Sequence, residues 1–308
     1  MRFLVAGATG FLGRRLVATL VAAGDEVWAV ARRADHGLPC PTRSVDDTLD
    51  PETYRAVVAD HRIDAVVNAL AAGVHPSDRD AGALVAANVI FPAALVRAAR
   101  AAGAPVFIHV GSSAEYLAGY ARTPLAETAP LETTRLYGAT KAAGSILVQA
   151  LAREAELPAA VMRAFNLFGA GEAPHRLFPS LARRLAAGQA VDLSGGTQVR
   201  DFLHVDDACR AIRRMAGALA EGRAAPGVYN LASGEPVSVR DFAAATAEAL
   251  GADPALLRFG ALPLRPDDLP FVVGDPSRLE AVLGPHRRPG LRQAIDRAVR
   301  DLRLEPAA

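Results

Sequence analysis

Tyr137 and Lys141 stand four residues apart, which on a helix sets a phenol and an ammonium on one face. Upstream, the apolar run Val106-Phe107-Ile108-His109-Val110-Gly111 ends on two hydroxyls, Ser112 and Ser113. A hydroxyl, a phenol and an ammonium suit proton transfer at an oxygen whose carbon gains or loses hydride. A carbonyl that takes up hydride becomes an alkoxide, which needs a proton donor and a hydrogen-bond donor within ~3 Å. A free phenol titrates near ~10, and an adjacent ammonium favours phenolate, so Lys141 is expected to draw Tyr137 toward neutral pH.

Such chemistry requires a hydride carrier, and the N-terminus supplies a place for one. Arg2-Phe3-Leu4-Val5-Ala6 reads as a buried strand, Gly7-Ala8-Thr9-Gly10-Phe11-Leu12-Gly13 as a glycine-rich turn, and the apolar run to Ala23 as a helix. That context turns the glycine pattern into a dinucleotide site. Gly7 and Gly10 allow a tight turn and close approach to a pyrophosphate at the helix N-terminus, where Phe11 and Leu12 begin the helix. Gly13 lets helix pack on strand. The second strand, Glu26 to Val30, is followed by Ala31-Arg32-Arg33 where an NAD site would place an acid for the adenosine ribose. Two guanidiniums without that acid favour NADP(H) over NAD(H), because Arg32 and Arg33 suit a 2′-phosphate; Asp35 nearby argues the other way. Asp47 is positioned to accept from the adenine amino group. The small residues around Ala69-Leu70-Ala71, at the end of the Ile63–Leu70 strand, leave room for the cofactor across the sheet edge.

Strands alternate with helices over the first half: a helix at 51–61, a long apolar helix from Leu84 to Ala102, the strand ending at Val110, the Tyr137 helix to about Glu154, and a strand from Ala159 to Phe165. This order predicts an α/β fold, a doubly wound parallel sheet over residues 1–168, with a smaller α/β substrate domain over 169–308. Gly169, Gly171, Pro174 and Pro179 mark the change, and the strand near 228–232 is expected to return to the first domain. Net charge is +1 with scattered arginines, which gives no footing for nucleic acid or an anionic membrane. Asn88, Pro92, Arg97 and Arg100 interrupt the most apolar stretch and argue against a membrane span. Cys40 and Cys209 have no metal-ligand spacing, so no metal is expected, and a reduced cytoplasmic protein is the simple reading.

From residue 1 to about 300 the chain resembles the extended short-chain dehydrogenases/reductases, a Rossmann-fold family of nucleotide-sugar epimerases, dehydratases and ketoreductases. GATGFLG matches the family's glycine turn and YGATK its YxxxK. RAFNLFG, RDFLHVDD, YNLASG and RPDDLP resemble its later signatures. The resemblance implies that Ser113, Tyr137 and Lys141 are catalytic, with Ser112 the weaker serine, and that Lys141 also holds the nicotinamide ribose. It implies that Asn166, Arg200, Arg265 and the segment at Arg176-Leu177 bind the diphosphate of a nucleotide sugar, a task suited to forked guanidiniums. Dehydratases of the family carry an acid–Glu pair after the catalytic hydroxyl. Here the pair is Ala114-Glu115, which lowers that reading and leaves Glu115 as a substrate-side residue. The resemblance, with Ala31-Arg32-Arg33, points to an NADPH-dependent reductase of a nucleotide-linked 4-keto-6-deoxyhexose. The alternatives are a nucleotide-sugar 4-epimerase or dehydratase with tightly bound NAD, and a non-catalytic NADP-binding regulator. It also implies a homodimer paired through the long apolar helix and the Tyr137 helix.

Overall fold

The computed structural model describes residues 1–33, 36–73, 78, 80–118, 122–265, 268–284 and 290–304. Asp35, Pro266 and Asp267 therefore lie outside the described residues. Strand β1 (Arg2–Ala6) is apolar and buried, and a left-handed Gly7 turns it into α1 (Phe11–Ala22). Then follow β2 (Glu26–Ala31), β3 (Thr42–Ser44), α2 (Pro51–His61) and β4 (Ala65–Asn68). Asp50 caps α2 by accepting from Glu52 N and Thr53 N, and Pro51 fits its first turn. Next come α3 (Ala81–Val85), a π-helical turn (Ala86–Ile90), α4 (Phe91–Ala101), β5 (Val106–Ser112), a 3-10 turn (Ser113–Glu115), α5 (Leu136–Glu154) and β6 (Ala159–Ala164).

The rest of the chain runs β7 (Asn166–Phe168), α6 (Leu177–Ala186), β8 (Val191–Leu193), β9 (Val199–His204), α7 (Val205–Ala220) and β10 (Gly227–Leu231). It continues through β11 (Pro236–Ser238), α8 (Val239–Leu250), β12 (Leu257–Phe259), β13 (Phe271–Val272), α9 (Ser277–Leu283) and α10 (Leu291–Leu304).

Seven strands form the central sheet in the order β10-β6-β5-β4-β1-β2-β3, and every neighbouring pair is parallel. Both faces are covered, so the strands are apolar almost throughout. One face packs on α1, α7 and α9 through Leu16, Val17, Ile212, Met215 and Leu279. The other packs on α2, α4 and α5 through Tyr54, Val57, Phe91, Leu95 and Val148. Because β10 pairs with β6 and α7 shares a core with α1, residues beyond 168 complete the first layer. The second lobe has a separate core built on Phe168, Phe178, Phe202 and Phe242, between α6, α8 and α10. Its sheet carries β11, β9 and β13, with β7 also paired to β9.

The stretch Ala81–Ala101 is long and apolar enough to cross a membrane by length and composition, yet it packs against α2 and α5. The π-helical turn within it has a specific consequence. It directs buried Asn88 to accept from Ala72 N at 3.0 Å and to donate to Ala72 O at 3.1 Å and Thr140 Oγ1 at 3.2 Å. A Cβ on Gly144 would lie 1.9 Å from Asn88 O, so α5 can seat this closely only with glycine there. These contacts fix the face of α5 that carries Tyr137 and Lys141.

Candidate active site

The carboxyl ends of β1, β4 and β5 carry the glycine turn, the Asn68–Ala71 segment and the paired serines. This is where ligands bind on open parallel sheets. Gly7 has φ +76, and a Cβ there would stand 2.6 Å from Leu70 N. A Cβ on Gly13 would stand 2.1 Å from Gly7 O, so α1 and the turn are in backbone contact. Gly10 caps α1 without a side-chain hydrogen bond, and the first turn carries no acid, which leaves its N–H groups open to an anion. The cradle thus fits a dinucleotide pyrophosphate, with Phe11 and Leu12 half-buried behind it and Ala69, Leu70 and Ala71 half-buried beside it. Arg32 and Arg33 are exposed directly after β2. Asp47 is exposed after β3, and its Oδ1 accepts from Leu49 N at 2.8 Å in a local turn.

Lys141 is almost fully buried and donates from Nζ to Val110 O at 2.9 Å. Burial lowers its pKa, and the charge of Glu115 opposes that shift. The Tyr137 ring lies against Gly73, where a Cβ would come within 2.9 Å of the ring. Burial raises the Tyr137 pKa; a hydrogen bond with the Ser112 hydroxyl and the charge of Arg176 pull it down, while Glu115 pushes it up. The net direction is therefore opposite to the sequence expectation. Lys141 spends its contact on a strand carbonyl, and desolvation dominates the phenol.

The two serines separate. Ser112 Oγ accepts from Ala114 N at 3.1 Å and is the hydroxyl that faces Tyr137. Ser113 opens instead onto a chamber of about 190 Å³ that it shares with Arg135, Asn166 and Arg200. Glu115, expected on the substrate side, turns inward and is fully buried. Its Oε1 accepts from Ser112 N at 2.8 Å and its Oε2 from Arg163 Nε at 2.7 Å. Arg163 in turn stacks over the Tyr116 ring, 4.5 Å from its centre. A carboxylate in a buried pair of this kind is committed to the fold, since removing one partner would strand a charge.

The narrow chamber lies beside a wider one of about 350 Å³, and Asn166, Arg200 and Asp268 line both. Arg176, Leu177 and exposed Arg265 line the wide chamber, so the structure brings the five sequence-expected diphosphate residues to one cleft. Three of its arginines are already engaged by carboxylates. Arg176 Nε donates to Glu172 Oε1 at 3.1 Å. Arg200 pairs with Asp268 and also donates to Val199 O at 2.8 Å and Leu269 O at 2.7 Å. Arg135 Nε donates to Glu132 Oε2.

The carboxylates differ. Burial pushes Glu172 up to about 7, against the pull of Arg176. Burial also raises Glu132, but hydrogen bonds from Thr134 and Arg135 outweigh it and hold that acid at about 2. Sequence reading passed over Arg135, Glu132 and Glu172. Arg135, two residues ahead of the YxxxK motif, was the one with a local signal.

Comparison with known proteins agrees with this geometry. Residues 3–232 match the model of the NAD dependent epimerase/dehydratase family. The chain belongs to that family. It is 33% identical over 249 residues to the dTDP-6-deoxy-L-talose 4-dehydrogenase (NAD(P)(+)) of Kitasatospora kifunensis, covering 78% of this chain and 76% of that protein. It is 31% identical over 265 residues to a dTDP-glucose 4,6-dehydratase of Streptomyces griseus, covering 81% and 79%. Among solved structures, MoeE5 in complex with UDP-glucuronic acid and NAD superposes with a TM-score of 0.84 at 31% identity, covering 98% of this chain and 99% of the other.

Proposed function

We propose that the protein is an NADPH-dependent reductase of the C4 ketone of a nucleoside-diphosphate 4-keto-6-deoxyhexose. The observation that carries this reading is the inward turn of Glu115. Glu115 is committed to Arg163 in the interior, and the narrow chamber shows Ser113, Ala114 and Arg135 in its wall. Its one carboxylate among the described residues, Asp268, is already engaged by Arg200 and Gln198, so no free acid is placed there for water elimination. Support for C4 chemistry on a deoxysugar comes from the talose 4-dehydrogenase relative. Arg32 and Arg33 on the rim after β2 support NADP(H) over NAD(H).

The Gly7–Gly13 turn would hold the pyrophosphate of NADP(H), which when bound would supply hydride to the carbonyl carbon. Tyr137 gives its phenolic proton to the resulting oxygen, and solvent later returns a proton to the tyrosinate. Burial keeps the phenol protonated, which is the form that reduction requires. Ser112 orients the Tyr137 oxygen, Ser113 donates to the sugar from the chamber wall, and Lys141 would hold the cofactor ribose with the ammonium donors that Val110 O leaves free. Asn166, Arg176, Arg200 and Arg265 receive the diphosphate in the wide chamber, where Asp268 must yield Arg200 to the incoming anion.

The test is NADPH oxidation with a panel of 4-keto-6-deoxy nucleotide sugars, repeated with Tyr137→Phe. The reading expects turnover with at least one member, higher with NADPH than NADH, and lost in the variant. Turnover of none, with NAD retained through purification and epimerisation of a stable nucleotide hexose, favours the epimerase instead.

The assembly expected with this reading is a dimer through α4 and α5. Ile90, at the end of the π-helical turn that leads into α4, is 61% exposed and Ile146 on α5 50%, where these elements pack together and leave apolar side chains uncovered. Ile90→Asp should halve the mass measured by light scattering.

A further inference from the structure

We infer that Arg135 is a specificity-determining residue that donates to an oxygen substituent of the substrate's hexose in the narrow chamber. The inference rests on the nucleotide-sugar reading above and adds a selecting contact to it. Arg135 precedes α5 as its N-cap, two residues from Tyr137, and lines the chamber with Ser113, Asn166 and Arg200. Its side chain is 40% exposed, whereas the Glu132 side chain beneath it is 1% exposed.

Glu132 is a clamp. Its Oε1 accepts from Thr134 N and Thr134 Oγ1, each at 2.7 Å, and from Arg135 N at 3.1 Å, while Oε2 takes Arg135 Nε. One of the five guanidinium N–H donors is used in this way. Among the described residues the two terminal nitrogens of Arg135 have no protein partner.

The other arginine of this chamber is differently placed. Arg200 gives its terminal nitrogens to Asp268, Val199 O and Leu269 O. Arg135 is thus the chamber guanidinium with donors to spare, and its clamp has already paid part of the ordering entropy that a loose surface arginine would lose on binding. The fork recognises oxygen, and on a 6-deoxyhexose that means a ring hydroxyl through single bonds; a sugar with a C6 carboxylate would instead offer it a charge-assisted pair.

Calorimetric binding to the full chain separates the possibilities, using UDP, dTDP, UDP-glucose, dTDP-glucose and UDP-glucuronic acid. Arg135→Ala should leave the Kd of the free diphosphates within about twofold and weaken the nucleotide hexoses about 5–10-fold, the worth of one ordinary hydrogen bond. A further loss confined to UDP-glucuronic acid, about 10–100-fold, would assign the contacted oxygen to C6, which a 6-deoxyhexose lacks, and would overturn the inference for that substrate. An equal loss for both sugars assigns it to the ring. Glu132→Gln should shift the same ligands in the same direction by less, with Arg135 present but unclamped.

Equal weakening of free diphosphates and sugars makes Arg135 a phosphate contact and overturns the inference, as does no change. If the wild type binds none of the five ligands, the nucleotide-sugar reading fails and takes the inference with it.

Discussion

The two ends of the cleft are built from different material. At the cofactor end, backbone does the work: Gly7 in a left-handed conformation, Gly13 against Gly7 O, and a helix N-terminus left open by Gly10. At the substrate end, side chains do it, and three of its arginines are held in advance by carboxylates: Arg176 by Glu172, Arg200 by Asp268, Arg135 by Glu132. An anion can fill the first end with no exchange of partners. At the second it must compete with a resident carboxylate, or use donors the carboxylate leaves over. The phosphate cradle is therefore generic for dinucleotides, with any choice between them left to the rim beyond it, whereas the substrate end can discriminate.

This contrast can be broken by mutation, starting where the effect is largest. Gly13→Val forces atoms into a backbone contact that has no side chain to move aside, so cofactor binding should be abolished and the fold badly weakened. Fluorescence titration with NADPH and a thermal melt check this. Tyr137→Phe preserves the ring packing on Gly73 and removes the proton donor, so kcat should fall about 10²–10⁴-fold while cofactor affinity stays unchanged.

The resident carboxylates give a third test, because two of them titrate in opposite directions. Glu172 is raised from its ordinary 4.5 to about 7, so the folded chain binds the extra proton and stability falls as pH rises through that window. Glu172→Gln should remove this slope and leave the variant more stable than wild type above pH 7. Glu132 is lowered to about 2, so its contribution is present above 4.5 and is lost as pH falls toward 2. Glu132→Gln should cost roughly 1–3 kcal/mol at neutral pH, the price of buried charge-assisted bonds. Urea melts between pH 2 and 8 read both. Smallest is the rim: replacing Arg32 and Arg33 by Ser should lower the NADPH-over-NADH preference about tenfold, measured as a ratio of kcat/KM.

How far the site could be read from sequence follows the same division. The glycine turn, the strand ends and the Tyr137–Lys141 helix face are local patterns, and backbone-built features announce themselves locally. Glu115 and Arg163 are 48 residues apart, and nothing near either one says that they meet in the interior. The same holds for Arg200 and Asp268, 68 apart. The choice between Ser112 and Ser113 turns on how a 3-10 turn aims two adjacent hydroxyls, which spacing does not encode. The expected pull of Lys141 on Tyr137 did not anticipate the burial of both groups, and burial reversed the direction. The π-helical turn that seats α5 was likewise hidden inside an ordinary apolar run.

The central claim is net reduction at C4, and the most direct measurement is isotopic. Turnover of a 4-keto-6-deoxy nucleotide sugar with NADPH carrying deuterium at nicotinamide C4, followed by NMR of the released sugar, should place one deuteron per molecule at sugar C4 with one NADPH consumed. Product formed with no deuterium at C4 and no net cofactor consumption would contradict it, because the hydride would then have come from the sugar itself.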